Sequence, residues 1–207
     1  MKLMLLGEAR KHIKEKIMTT VTIFGSGNMD TAIADIFQAG GADVQFIGSD
    51  GQGTVEGDVV VLAVPYPALA QIVASHGDQF DGKVVIDITN PLDFNTFDSL
   101  TVPAGSSAAA ELAEKLPKAS VVKAFNTNFA ATLATKQVGE LATTVLIAGD
   151  DEAAKNTLAS AITAGGVEAI DAGSLKRAHE LEAIGFLQLA LAASEKIGWT
   201  GGFGIVR

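Results

Sequence analysis

From Val21 onward, short apolar runs alternate with stretches in which apolar residues recur every three or four positions. VTIF (21–24) leads into NMDTAIADIFQAG (28–40), where Met29, Ile33, Ile36 and Phe37 share one helical face. DVQFIG (43–48), DVVVLAVP (58–65) and KVVIDITNP (83–91) read as strands, with YPALAQIVASHG (66–77) as a helix between the last two. SSAAAELAEKLP (106–117) predicts a helix, and SVVKAF (120–125) and TTVLIAG (143–149) predict strands. DDEAAKNTLASAITAGG (150–166) is a helix with acidic residues in its first turn, where the helix dipole favours them. VEAIDAG (167–173) is a strand, SLKRAHELEAIGFLQLALAASEKIG (174–198) the last helix, and GFGIV (202–206) a closing edge strand.

Strands this rich in Val and Ile, alternating with helices, predict an α/β fold, a doubly wound and mainly parallel Rossmann-type sheet covered on both faces. One crossover is too short. Only GQGTVEG (51–57) joins the second strand to the third, whereas a parallel crossover usually takes a dozen or more residues and a helix. A helix is therefore expected to be missing there, leaving that end of the sheet open. No repeat or linker divides the chain, so residues 18–207 are expected to form a single domain behind a basic extension, residues 1–17.

Charge and composition narrow the chemistry. The net charge of −9 argues against nucleic acid, whose phosphates require clustered Lys and Arg. The chain has no cysteine, which removes disulfides, thiolate metal sites and a cysteine nucleophile. No apolar run approaches the ~20 residues of a membrane span, and the first residues lack a secretory pattern. The expected setting is cytoplasmic, with no membrane partner and no metal.

The candidate chemistry begins at GSGNMD (25–30). Gly25 permits the sharp strand-to-helix turn, and Gly27 lets backbone approach a pyrophosphate. The helix starting near Asn28 and Met29, with Ser26 in the turn, offers unpaired N–H groups to that phosphate. Asp30 stands where a third glycine is usual. It adds bulk, and a negative charge that the helix dipole favours by ~0.3–1 kcal/mol but a bound pyrophosphate would repel, an effect of a size that costs up to about tenfold in affinity and modifies the site without abolishing it. At the end of the second strand Asp50 is placed to accept from the adenosine ribose hydroxyls, which favours NAD; it reads equally well as a solvated turn aspartate.

TIFGSGNMD (22–30), FIGSD (46–50), DVVVLAVPY (58–66), VVIDITNPL (84–92), VVKAFNTN (121–128) and DAGSLKRAHELEAIGF (171–186) resemble, in order, the small oxidoreductases typified by NADPH:coenzyme F420 oxidoreductase. They are also similar to the cytosolic domain of the STEAP metalloreductases. The resemblance implies a cofactor, NADP, gripped at its 2′-phosphate by Ser and Arg. Ser49 matches, but Asp50 replaces the arginine, so NADP and NAD both stay open. The basic extension, notably Arg10, Lys11 and Lys14, offers a replacement clasp if it folds over the open adenine end.

The resemblance also assigns the nicotinamide end. Ala63, Val64, Pro65 and Tyr66 would line the nicotinamide ribose, Asn90 and Pro91 follow the next strand, and Ala124, Asn126 and Asn128 would lie by the carboxamide. The two prolines also read as strand terminators, and the asparagines as turn residues. Hydride transfer between a nicotinamide and a flavin-like ring needs alignment more than an acid, so no catalytic dyad is expected. His12 and His76 read as surface residues; His179, where the family usually has Arg, is a weak catalytic candidate or a plain surface imidazole. No helical substrate domain is expected after the last helix. Trp199 and Phe203 would wall a flat acceptor, a flavin or deazaflavin, or else serve core or interface. The apolar IGFLQLALAA (184–193) suggests a homodimer. The competing function is a nucleotide-binding regulator or interaction module without turnover.

Overall fold

The structure is a computed structural model, and it describes residues 20–48 and 51–207. The expected basic extension, with His12, Arg10, Lys11 and Lys14, lies outside the described residues, as do Ser49 and Asp50. The strands are β1 (Thr20–Phe24), β2 (Asp43–Ile47), β3 (Val59–Leu62), β4 (Val84–Asp87), β5 (Ser120–Lys123), β6 (Gln137–Val138), β7 (Leu141–Ala142), β8 (Thr144–Gly149) and β9 (Glu168–Gly173). The helices are α1 (Asn28–Ala39), α2 (Leu69–His76), α3 (Ala108–Lys115), α4 (Ala130–Thr135), α5 (Glu152–Ala164) and α6 (Ala178–Ala193).

Seven strands form one sheet in the order β2-β1-β3-β4-β5-β8-β9, and β6 pairs with β7 in a small separate ribbon. The first five are parallel, with Val21 facing Val59 and Val60 facing Val85. β8 joins β5 antiparallel, and β9 follows β8 in parallel. The mainly parallel α/β sheet is therefore the predicted one, with a reversed pair added at one edge. Among the described residues between β2 and β3 no helix occurs, so the shortened crossover is real.

Because β3 is buried along its whole length and β1 from Val21 onward, their Val and Ile residues feed two cores. One packs α1, α4 and α5 against the sheet through Ile33, Ile36, Leu133, Leu158 and Ile162. The other packs α2 and α3 through Leu69, Leu112 and Leu116, with Phe24 and Phe80 beside them. Local chemistry sets the helix starts. Ser107 accepts the Ala110 N–H at 3.0 Å to begin α3, and Asp151 accepts from Ala153 and Ala154 to begin α5. Capping of this kind contributes about 0.5–2 kcal/mol.

Two expectations fail at the C-terminal end. The last helix is shorter than 174–198: a 3₁₀ turn at Leu175–Arg177 precedes α6, and Glu195 takes a left-handed φ of +59° after it. Residues 202–206 form no strand. The Phe203 N–H donates to Gln188 Oε1 at 2.9 Å, so this segment is tied to α6 instead of a sheet edge.

Candidate functional site

The sheet order turns back at β1, with β2 on one side of it and β3 on the other. In open α/β sheets the crevice outside the carboxyl ends of the strands at such a point is where ligands bind. Two cavities meet here, sharing Ala63, Val64 and Pro65. The smaller, about 330 Å³, lies between the glycine turn, α2, and Gly48 and Gly51 of the β2–β3 connection. The larger, about 620 Å³, runs past the ends of β4 and β5 to Trp199.

The glycine turn is drawn tightly between strand ends. Gly25 has φ +147°, its N–H donates to the Ile47 carbonyl at 3.1 Å, and a Cβ on it would stand 2.5 Å from the Ala63 carbonyl oxygen. No other residue fits that turn. Ser26, Gly27 and Asn28 are exposed at the start of α1, where the first-turn amides of Asn28 and Met29 remain for an anion.

Asp30 differs from its expected role as a charge offered at the helix start. Its side chain is buried, and its carboxylate accepts the Gly27 N–H in a capping arrangement beneath the turn. Burial pushes its pKa up, opposed by the Gly27 and Asp30 amides. His76 also departs from expectation. Instead of lying on the surface it is 4% exposed, lines the smaller cavity, and meets the Phe24 ring edge-on at 5.0 Å.

In the larger cavity, side-chain amides from separate strand ends lock together. Asn90 Nδ2 donates to the Asn126 carbonyl at 2.9 Å, and Asn126 Nδ2 donates to Asn90 Oδ1 at 3.0 Å and to the Leu181 carbonyl at 2.8 Å. Asn128 Nδ2 donates to the Thr144 carbonyl at 3.0 Å. These bonds fix the amide orientations, so Oδ1 of Asn126 and of Asn128 are acceptors. Neither has a partner among the described residues, and neither does Thr89 Oγ1. Between them Phe125 holds φ +63°, a sparsely populated conformation for an aromatic residue, packed edge-on to Phe37 at 6.3 Å. Phe129 and Trp199 stand together at 5.1 Å on the same cavity.

Behind this wall is a charge cluster sealed from solvent. Lys123 Nζ lies 2.9 Å from Asp87 Oδ2 and 2.8 Å from Glu182 Oε1, and donates to the Thr89 carbonyl at 2.5 Å. Glu182 also accepts from the first amides of α3, Ala108 at 2.9 Å and Ala109 at 3.3 Å. Its pKa is pushed up by burial and pulled back by Lys123. The cluster fixes Thr89, α3 and α6 with respect to one another.

Most predicted site residues converge. Gly25, Ser26 and Gly27 line the smaller cavity; Asn28, Met29, Tyr66, Asn90, Asn126 and Asn128 line the larger; Ala63, Val64 and Pro65 line both. Pro91 and Ala124 do not. Both are buried away from either cavity, Ala124 because its side chain enters the core beside Val122. His179 is likewise elsewhere, with Nδ1 3.0 Å from the Ser106 carbonyl oxygen. Phe203 lines neither cavity, whereas Trp199 does line one.

Residues 44–91 match the model of a family described as NADP oxidoreductase, coenzyme F420-dependent. The F420-dependent NADP reductase of Methanocaldococcus jannaschii is 31% identical over 174 residues, covering 81% of this chain and 77% of that protein. The chain belongs to this oxidoreductase family. The metalloreductase STEAP3 of Rattus norvegicus is 37% identical over 128 residues, 61% of this chain but only 24% of that larger protein. A hypothetical protein of Sinorhizobium meliloti, SMa0349, superposes with a TM-score of 0.65 at 31% identity, over 77% of this chain and 87% of its own. For the fold, a structure provisionally assigned as an F420-dependent NADP reductase from Arthrobacter sp. FB24 has a TM-score of 0.78 at 22% identity, over 91% of this chain and all of that one. Family membership makes the chain an oxidoreductase, and the reading as a module without turnover falls.

Sequence reasoning missed the Lys123 cluster behind the cavity. A signal for it was present. Lys123 in SVVKAF and Asp87 in VVIDIT are charges inside otherwise apolar strands, which is costly unless they are paired. Gly185 was another. A Cβ there would sit 2.3 Å from Asn90 Oδ1, so a mid-helix glycine, ordinarily costing ~1 kcal/mol, lets α6 reach the asparagine pair.

Proposed function

We propose that this protein binds NADP(H) along the cleft and catalyses hydride transfer between its nicotinamide and a flat aromatic acceptor, a flavin or deazaflavin. One observation carries the reading. Of the described residues lining the larger cavity only Tyr66 is titratable, and its hydroxyl donates to Glu111 Oε2 at 2.6 Å. Its pKa is pushed up to about 12, chiefly by burial and then by Glu111. A cavity walled by Phe94, Phe129 and Trp199, with amide acceptors and no proton donor near neutrality, suits chemistry that aligns two rings and moves a hydride.

When bound, the cofactor supplies or receives the hydride. The protein residues do the rest. The Gly25–Gly27 turn and the α1 amides hold the pyrophosphate, and Ala63 to Tyr66 support the ribose between the cavities. Asn126 Oδ1, Asn128 Oδ1 and Thr89 Oγ1 take the donor N–H groups of the carboxamide or of the acceptor's pyrimidine edge. Each unpartnered buried acceptor costs about 1–3 kcal/mol, so pairing it favours the bound state. Pro91 and Ala124 act only by shaping the backbone. Residues 18–207 serve as the working domain, and the exposed face of α6 around Leu187 joins two copies into a homodimer.

The test is calorimetric titration with NADPH and NADH, followed by NADPH oxidation with F420 or FMN as acceptor. The reading expects NADPH binding that survives removal of residues 1–17, and turnover with at least one acceptor. Absence of binding by either dinucleotide sinks the cofactor assignment; binding with no oxidation by either acceptor sinks the acceptor class.

A further inference from the structure

We propose that His76 reads the adenosine end of the cofactor, its imidazolium holding the 2′-phosphate that distinguishes NADP(H) from NAD(H). The inference rests on NADP(H) occupying the cleft as proposed above. Residues 17–82 contain no Lys or Arg, so the family's arginine has no local substitute of its own kind. Among the described residues lining the smaller cavity, His76 is the one side chain able to carry positive charge.

The missing crossover helix puts His76 within reach. The ring lies at the end of α2, next to the connection that replaces that helix, with Cε1 4.0 Å from where a Cβ on Gly51 would stand. The ring is held on two sides. Phe24 meets it edge-on at 5.0 Å, and Phe24 is itself braced by Phe80 at 5.8 Å. Ser75 Oγ lies 2.7 Å from Nδ1, and the Ser75 hydroxyl proton is directed to the Gln71 carbonyl at 3.0 Å or the Ile72 carbonyl at 3.3 Å. Ser75 therefore accepts from the Nδ1 proton, and Nε2 is the nitrogen that gains a proton on acidification. A phosphate dianion beside Nε2 favours that protonated form and receives a charge-assisted hydrogen bond from it.

Other charges around the ring are few. Asp30 of α1 lines the same cavity but is committed to Gly27, and Asp78 follows two residues later in the turn after α2. β1, β3 and Phe80 bring no titratable side chain. The described connection presents Gly51, while Glu56 and Asp58 are exposed and outside the cavity lining.

The experiment measures NADPH and NADH affinities of the intact chain across pH, for the wild type and for His76→Gln. In the wild type the NADPH-over-NADH ratio should be about tenfold higher at acid than at alkaline pH. In His76→Gln the ratio should be low and lack that difference, with NADH affinity unchanged. The 2′-phosphate ionises with a pKa of about 6, which works in the opposite direction and is left alone in the variant. A pH-independent ratio in the wild type, or the same profile in both proteins, overturns the assignment. Failure of both dinucleotides to bind at any pH instead overturns the cofactor reading. If the variant does not fold, the His76 ring signal in wild-type NMR spectra decides. Added 2′-AMP should raise its titration midpoint, and an unmoved midpoint rejects the proposal.

Discussion

Lys123 at the end of β5 lies 2.8 Å from Glu182 on α6, and both side chains are sealed from solvent. With Asp87 at 2.9 Å, a single ammonium faces two carboxylates in a dry interior. Removing the lysine strands both. Lys123→Met is expected to destabilise the fold by about 3–5 kcal/mol, as breaking a buried pair does. Glu182→Gln should cost less, because it leaves the Lys123–Asp87 pair whole and keeps one oxygen for the α3 amides. Urea denaturation of the two variants with an unchanged m-value checks the order; equal losses would show that the α3 amides, and not charge, dominate.

Tyr66 is the one tyrosine in the chain, so its ionisation can be read directly from phenolate absorbance. The expected midpoint is about 12, above the ordinary value of 10.0. Glu111→Gln should bring it only part of the way back, since burial is the larger cause. The folded state holds this proton more tightly than the unfolded chain does. Stability therefore falls as pH rises from about 10 towards about 12, and the loss should be smaller in the variant. A midpoint near 10 would mean that the hydroxyl is not held by Glu111 in solution.

Asn128 joins the site to β8. Asn128→Ala removes one unpartnered acceptor from the larger cavity and one bond to the Thr144 carbonyl. It should weaken NADPH binding about tenfold and cost about 1 kcal/mol of stability. Gly185→Ala should weaken NADPH binding through a different cause, because its methyl displaces Asn90 Oδ1. Calorimetry separates the two from a general loss of folding. Unchanged affinity in both would place the cofactor elsewhere.

The parallel sheet was legible because Val and Ile runs buried on both faces have no other economical arrangement. The glycine turn, and the asparagines placed by family resemblance, were legible too. The reversed direction of β8 was not, since an apolar strand reads the same whichever way it runs. His76 was misplaced for a related reason. Its ring packs against Phe24 at the end of β1, distant in sequence, and nothing in YPALAQIVASHG marks which face meets that strand. GFGIV has strand composition, but Gly202 at φ +142° and the bond from Phe203 to Gln188 hold it off the sheet.

Asp30 is the remaining departure from the glycine pattern, and its two roles pull in opposite directions. As a cap for Gly27 it stabilises α1; as a negative charge under the phosphate turn it opposes the ligand. Asp30→Asn keeps an acceptor for Gly27 and removes the charge, so NADPH and NADH should both bind more tightly, up to about tenfold. Asp30→Gly removes the cap as well and should cost about 1–2 kcal/mol of stability. Burial raises the Asp30 pKa above its usual 3.8, so the folded state takes up the proton first and stability from this group falls as pH rises through that window. For the same reason wild-type binding of both dinucleotides should improve towards acid, and that gain should vanish in Asp30→Asn. Since the pyrophosphate is common to both cofactors, Asp30 moves the two affinities together, whereas His76 moves their ratio. An Asn variant that binds no better than wild type, beside a Gly variant that does, would assign the effect to bulk at the turn and not to charge.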